Sequence, residues 1–521
     1  MAEPLADATP VIIGAGMITH RAHGADAVLA PQELMAEAAR RALADAGAAI
    51  APAIEDVAVI RTFADSAPQF ASPFGGPRHY PDAVARRLGL KPRAAFYPQL
   101  GGDTPQATLA LLADRLARGE ARAALLVAGE AMAGARLAAK AGLKLSWRED
   151  SGPDAPPLAE PGVLRPGMSP QELVHGVAEP AHVYPLFESA AAQRHGRAMP
   201  VQRERIGALF ARFAAVAATH PAAWDRTPWR AEELITPGPD NRLIAWPYTK
   251  RLCAQMYVDQ AAAVVLTTVG EARRLGIAPD RWIFPWASVE LAEKWTLAER
   301  PDLSEAPAVR MAGSALLAAA GLGIEEITFI DLYSCFPSAV ELGAEALGLD
   351  PHGGRGLTLT GGLPFFGGPG NGYSLFAIAT LVERLRAAVE PATGLVWANG
   401  WYLTKHALGL YANRPHRDGW RHLPADDLQA RIEAMASPPW VDAPEGAGVV
   451  EAATVVFDRS GGPAHGLLYG RLGRDGRGGR FIAVVPGEDE ESIEALMGPR
   501  PVGLPVAVSR TGNRNIARIA G

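Results

Sequence analysis

The strongest constraint on this chain is an internal repeat. Residues 33–63 read as a helix, ELMAEAARRALADAG, then a connection and an apolar strand, IEDVAVIRTF. Residues 310–336 follow the same plan, RMAGSALLAAAG and then IEEITFIDLYSCF. Ile54-Glu55-Asp56-Val57 matches Ile324-Glu325-Glu326-Ile327, an offset of 270 (54 to 324). A second pair, ATLALLADRLARGEARAALLVAGE (107–130) and LFAIATLVERLRAAVEPATGLVWANG (375–400), is again an amphipathic helix running into a strand. There Ala113-Asp114-Arg115-Leu116 matches Val382-Glu383-Arg384-Leu385 at 269 (113 to 382). Two matches at nearly one offset imply a duplicated α/β unit, with helices covering the faces of the sheets.

The segment between the strand near 127 and VDQAAAVVLTT (258–268) interrupts the first copy. It mixes turn-rich stretches (SGPDAPPLAEPG, ITPGPDNR) with a helical one, VQRERIGALFARFAAVAATH. So long a structured excursion is expected to form a lid or a substrate-facing subdomain. From about 445 the pattern becomes short strands, VVEAATVVFDR, HGLLYGRLG, GRFIAVVP and PVGLPVAVSRTG, separated by SGGP and GRDGRGGR. That is the signature of a small β-barrel or sandwich. The expected division is a first half at 1–270 with a loop subdomain at about 131–247, a second half at 271–435, and a β-domain at 436–521.

A net charge of −6 offers no whole-chain basic field for nucleic acid, and the longest apolar runs, such as Ala123 to Gly129, are too short to span a bilayer. Glu3 and Asp7 stand where a secretory leader would carry positive charge. Two cysteines, Cys253 and Cys335, exclude a disulfide framework and a multi-cysteine metal site, so a reducing, cytoplasmic compartment is expected.

Five loops could carry chemistry. Gly14-Ala15-Gly16 follows an apolar run, but Thr19 stands where a dinucleotide fingerprint needs its third glycine, so a strand-end turn is the reading. QLGGDTPQATLALL (99–112) opens a helix with Asp103 or Thr104 as N-cap, and its backbone N–H groups suit an anion or a developing oxyanion. LTGGLPFFGGPGNGYSLF (359–376) is the densest glycine cluster, lacks a P-loop ending, and leads into Tyr373 at a helix start. IDLYSCFPSAV (330–339) is a buried strand ending in Asp331, Tyr333, Ser334 and Cys335. In WANGWYLTKHALGLY (397–411) a strand ends at Asn399-Gly400 and offers Lys405 and His406, the latter inside a helix or turn. Cys253, in RLCAQMYVDQ, reads as core.

The duplicated halves, the insertion and these loops in this order resemble the thiolase superfamily over residues 9–415, most closely its sterol-carrier-protein-type thiolase-like branch. The C-terminal β-domain resembles the added OB-like module of a thiolase-like subfamily. The resemblance implies a layered αβαβα thiolase fold with a lid-like insertion and a small C-terminal β-barrel. Position by position, it puts Gly101 at the family's nucleophilic cysteine and Asn399 at its acid–base cysteine. Gly367-Gly368-Pro369 matches Gly-His-Pro, so Gly368 replaces the histidine. Tyr333-Ser334-Cys335-Phe336 matches the Asn-Glu-Ala-Phe or His-Asp-Cys-Phe motif. Claisen chemistry needs a thiolate and a base, and neither stands in its family place.

The implied function is that of an acyl-CoA-handling protein of the acyltransferase group. CoA or acyl-CoA is its ligand, and no permanently bound cofactor or metal is expected. One alternative is a retro-aldol lyase acting on a β-hydroxyacyl-CoA, since thiolase-like aldolases place tyrosines at the positions of Tyr333 and Tyr373. The other is a non-catalytic acyl-CoA-binding or scaffolding protein. Candidate catalytic residues are Tyr333, Tyr373, Cys335 and His406. Lys250 and Arg251 would meet the phosphates of CoA, and backbone at Gly367, Gly368 and Gly370 would meet the ligand, with N–H groups of 367–372 holding an oxyanion. Homodimer and monomer both stand open.

Overall fold

The structure, a computed structural model, describes residues 5–24 and 27–519, so Glu3 lies outside the described residues. The first half begins β1 (Pro10–Thr19), α1 (Pro31–Ala46), β2 (Ile54–Val59), α2 (Tyr80–Leu88) and β3 (Ala94–Phe96). It continues through α3 (Thr104–Ala117), β4 (Ala123–Ala131), α4 (Met132–Lys140) and β5 (Leu158–Ala159). The insertion supplies α5 (Pro170–Val174), α6 (Pro180–Arg194), α7 (Met199–Thr219), α8 (Ala231–Ile235), β6 (Leu243–Ala245) and β7 (Tyr248–Thr249). Then β8 (Asp259–Thr268) returns to the first sheet and α9 (Val269–Arg274) leaves it. The second half runs β9 (Phe284–Ala292), α10 (Pro307–Ala320), β10 (Phe329–Leu332), α11 (Pro337–Ala346) and α12 (Tyr373–Ala387). It ends with β11 (Thr393–Gly400), β12 (Lys405–Ala412), β13 (Arg421–His422) and α13 (Asp426–Glu433).

The duplication is visible in the sheets themselves. The first sheet has the order β1-β8-β4-β2-β3-β5, the second β10-β11-β12-β9-β13. In each half the first strand pairs antiparallel with the last, that one antiparallel with the next, and the next parallel with the strand after α1 or α10. Helices α3 and α12, the two copies of one element, pack against each other and against both sheets. With α1 outside the first sheet and α10 outside the second, the layers are α, β, α, β, α. All nine residues of β4 and all eight of β11 and β12 are buried, which is why these strands read as unbroken apolar runs.

Two sequence expectations change here. Gly14 and Gly16 lie inside β1, not in a turn after it. A Cβ on Gly14 would sit 2.2 Å from the Ala42 carbonyl oxygen, and one on Gly16 2.5 Å from that of Ala38. These glycines let α1 press onto the sheet, which is a packing requirement and not a phosphate cradle. His406 lies on β12, where a fully buried strand had presented helix-like apolar spacing.

The C-terminal barrel is present and closed. It comprises β14 (Gly446–Phe457), β15 (Pro463–Leu472), β16 (Arg480–Pro486), α14 (Glu490–Met497), β17 (Pro505–Thr511) and β18 (Arg514–Ile519). The order β15-β16-β18-β17-β14 closes through β14–β15. Helix α14 and strand β18 were not anticipated. The barrel has its own core around Phe481, Val455 and Leu496, yet β14 also pairs with β6 of the insertion, and Leu243 and Trp246 pack onto that core. Arg480, with no solvent exposure, pins the barrel to the body by donating to the carbonyls of Leu297 and Ala298, while the Glu451 carboxylate of β14 holds its guanidinium from within the barrel.

Candidate functional site

The starts of α3 and α12 face each other at the centre of the molecule. The Gly101 N–H donates to Asn371 Oδ1 (3.1 Å), and the Ser374 hydroxyl donates to the Gly102 carbonyl (3.0 Å). Asp103 occupies the N-cap position of α3, but its side chain accepts nothing from the helix start. It turns instead to Lys405, whose Nζ lies 3.2 Å from Oδ1 and donates to the Leu100 carbonyl at 2.9 Å. Both side chains are about nine-tenths buried, and Asp103 Oδ1, off-line for the ammonium, has no hydrogen-bond partner among the described residues. Burial pushes the Asp103 carboxyl above the usual range, with Lys405 acting against that shift. Gly101 has φ of +149°, and a Cβ there would lie 2.1 Å from Asp103 Oδ1 and 2.7 Å from Lys405 Nζ. The space a side chain at 101 would use belongs to the ion pair.

Tyr333 closes the site from the other side. A Cβ on Gly102 would lie 2.3 Å from the Tyr333 hydroxyl and 2.5 Å from the Asn399 carbonyl. Tyr333 and Tyr373 meet edge to face with centroids 5.5 Å apart, so the structure brings these two candidates together. Their hydroxyls differ. Tyr373 donates to Asp331 Oδ1 (3.2 Å) and shares a 2.7 Å hydrogen bond with Thr360, while Asp331 also accepts from the Leu359 N–H (2.7 Å) and Thr358 (3.1 Å). Burial raises Asp331 to about 6. Tyr373 is therefore fully engaged. The Tyr333 hydroxyl has no hydrogen bond among the described residues. Burial, then the neighbouring Cys335 and Asp103, lift its phenol well above the usual value. Tyr333 therefore stays protonated and can act as a hydrogen-bond donor.

Cys335 is buried beside the Tyr184 hydroxyl, and burial pushes its thiol up to about 12. Such a thiol does not supply a thiolate at neutral pH. Tyr184 accepts from Asn399 Nδ2 (2.9 Å) and the Leu403 N–H (3.2 Å) and donates to the Trp401 carbonyl (3.0 Å). It thereby anchors a loop in which Trp401 (φ +56°) and Leu403 (φ +52°) are both left-handed, a strained conformation for such side chains. Asn399 Oδ1 and Ser334 Oγ are buried without hydrogen-bond partners. His406 pairs with Asn399 across β11–β12 but is turned to Trp397, whose indole donates to Nδ1 at 3.3 Å. Its Nε2 has no hydrogen bond and lies 3.9 Å from Glu293, and burial holds the imidazole down near 3. His406 is a buried histidine that, among the described residues, makes no hydrogen bond or ring contact with Tyr333, Tyr373 or Cys335.

Three N–H groups of the glycine loop expected to hold an oxyanion are already engaged. The N–H groups of Gly368, Gly370 and Gly372 are spent on the carbonyls of Gln255, Gly368 and Pro369 at 2.8–2.9 Å. Gly367 (φ +118°) instead lets Gln260 approach, since a Cβ would meet its Oε1 at 2.2 Å. Arg251 lies 3.8 Å over the Trp229 ring and donates to the Glu233 carbonyl (3.3 Å), inside the insertion, whereas Lys250 is exposed. Cys253 is only partly buried. Asp103 as a side-chain partner, Asn371 and Tyr184 escaped sequence reading. One signal was available, a lysine at 405 inside an apolar strand pattern.

A family model for the thiolase-like protein type 1 additional C-terminal domain matches residues 427–513. No curated protein matches the chain. Among solved structures, a monomeric SCP2-thiolase-like protein type 1 from Mycobacterium smegmatis superposes with a TM-score of 0.82 at 31% identity, covering 99% of this chain and 100% of that one. An Ltp2-ChsH2(DUF35) aldolase gives 0.57 at 22% identity over 79% of this chain and 99% of that one. The dimeric peroxisomal thiolase of Saccharomyces cerevisiae gives 0.54 at 14% identity over 78% and 98%. The last two show the shared fold.

Proposed function

The chain belongs to the SCP2-thiolase-like protein type 1 family, and from that premise we propose that it handles acyl-CoA thioesters without forming an acyl-cysteine. The observation that carries this reading is the Asp103–Lys405 pair in the space beside Gly101, where the resemblance to thiolases puts the nucleophile. The remaining groups agree with it. Burial keeps the Cys335 thiol protonated, and the resemblance puts Asn399 at the second reactive position and Gly368 at the histidine position.

A second reading, retro-aldol cleavage of a β-hydroxyacyl-CoA, is favoured by the Tyr333 hydroxyl, which abuts Gly102 with no hydrogen bond among the described residues, near the Asp103 carboxyl. Asp103 would take the β-hydroxyl proton, and the Cα–Cβ bond would break to release a ketone or aldehyde. The electron pair would pass to the thioester as an enolate, which the Tyr333 O–H would stabilise. The proton on Asp103 would then return to Cα. Calorimetry with CoA and acetoacetyl-CoA tests the ligand assignment, and CoA that fails to bind at millimolar concentration overturns it. Thiolysis of acetoacetyl-CoA is expected to be undetectable. If a β-hydroxyacyl-CoA is cleaved, Tyr333→Phe should slow turnover about 10²-fold or more, and Tyr373→Phe less. Turnover unchanged in both removes the lyase reading and leaves the acyl-CoA-binding or scaffolding one.

The chain is further read as a monomer. Strand β3 would be a free sheet edge, but the Tyr97 and Gln99 N–H groups donate to the carbonyls of Ala159 and Pro161 of the same chain, both at 2.8 Å.

A further inference from the structure

A cavity lies at the end of β4 and the start of α4. It has a volume of about 240 Å³ and is walled by Phe70, Tyr80, Met132, Trp147 and Tyr257, with Glu130 among its lining residues. Glu130, at the end of β4, is only 4% exposed. Its Oε1 accepts the Phe63 N–H at 2.7 Å. Its other oxygen has no hydrogen-bond partner among the described residues. A Cβ on Gly370 would lie 2.2 Å from Oε1, so the glycine loop fixes the carboxyl from behind. The carboxyl group thus has one backbone partner, no basic side chain against it, and one oxygen left for a ligand.

We propose that this cavity binds a small, neutral, mostly apolar molecule carrying one carbonyl or hydroxyl oxygen, held by Glu130. The size fits a single substituted ring, since a cavity of about 150 Å³ already accepts benzene. Neutrality follows from the surroundings. Arg136 lies 4.7 Å over the Tyr257 ring at the rim and opposes a cation, while an anion beside Glu130 would be desolvated with no basic side chain in contact there. Burial raises Glu130 to about 8, so at neutral pH it is protonated and can donate to a ligand oxygen. Mostly apolar walls with a few polar groups, here Glu130 with Thr62, Gln69 and Ser72, are the usual makeup of a small-molecule site.

The full chain would be titrated with cyclohexanone, cyclohexanol, cyclohexylamine and cyclohexanecarboxylate at millimolar concentration, with binding read by ligand-observed NMR. The two neutral probes should bind, and the two charged ones at least tenfold more weakly. Ala135→Trp and Ala139→Trp, both on α4 and lining the cavity, should each weaken the neutral probes tenfold or more. Glu130→Gln, which keeps a donor, should stay within about threefold of the parent. Folding of each variant is checked by circular dichroism, and either tryptophan variant suffices. Neutral probes that do not bind, that bind no better than charged ones, or that ignore a folded tryptophan variant overturn the proposal.

Discussion

Replacing Lys405 by Met keeps the length of the side chain and removes its charge. Asp103 is then left beside Gly101 with no cation in contact. The chain has two ways to respond, and the cheaper one sets the cost. Keeping the carboxylate ionised and unpaired costs about 3–5 kcal/mol. Protonating it costs about 1.4 kcal/mol per pH unit above an unfolded-state pKa near 4, hence about 4 kcal/mol at pH 7 and about 1.5 at pH 5. Loss of the hydrogen bond to the Leu100 carbonyl adds about 1 kcal/mol at either pH. The sign follows from the direction of the shift. Asp103 already has a raised folded pKa, and removing Lys405, which lowers it, raises it further. A raised carboxyl destabilises the fold as pH rises above the unfolded value, and stability returns as pH falls towards that value. Lys405→Met should therefore lose about 5 kcal/mol at pH 7 and roughly half of that at pH 5. Adding Asp103→Asn should recover most of the loss at pH 7, because no carboxylate is then left unpaired. Calorimetric Tm values for the four chains at both pH values give the comparison. If Lys405→Met melts with the parent at pH 7, or if its deficit does not shrink at pH 5, the pair is not what holds this corner of the site.

Two further outcomes follow from the same geometry. Gly101→Cys should lower Tm, because its Cβ would meet Asp103 and Lys405 and φ is +149°, and acetoacetyl-CoA thiolysis should remain undetectable; measurable thiolysis would contradict the account. Light scattering should give a single species near 54.9 kDa, and a stable dimer would mean that an interface other than the covered β3 edge is in use.

The fold was legible where one helix and one strand suffice to define a pattern. The repeat at 269–270 residues emerged from helix–strand pairs, and the matched strand order of the two sheets is its three-dimensional counterpart. What stayed hidden depended on burial from both sides. His406 on β12 and the glycines of β1 carry apolar or glycine signals that a helix, a turn and a covered strand share. The site divides the same way. The Tyr333 and Tyr373 loops were visible as motifs, but which phenol is free depends on Asp331 and Thr360 reaching Tyr373 and on nothing reaching Tyr333. Likewise Asp103 looked like a local helix cap and proved to be one end of a contact between the two halves.

That contact bears on how such a site can change. Gly101 tolerates no side chain while Asp103 and Lys405 occupy its Cβ space, and Gly102 tolerates none while Tyr333 lies against it. Asn371 reaches Gly101 from the glycine loop of the opposite half, and Asn399 is held by Tyr184. Five positions from both halves are thus sterically conditional on one another. A single substitution towards a nucleophile meets a clash before it meets a substrate. A side chain at 101 would require the ion pair to move, and one at 102 would require Tyr333 to move, so a cysteine cannot be introduced at either position without rearranging groups from the opposite half.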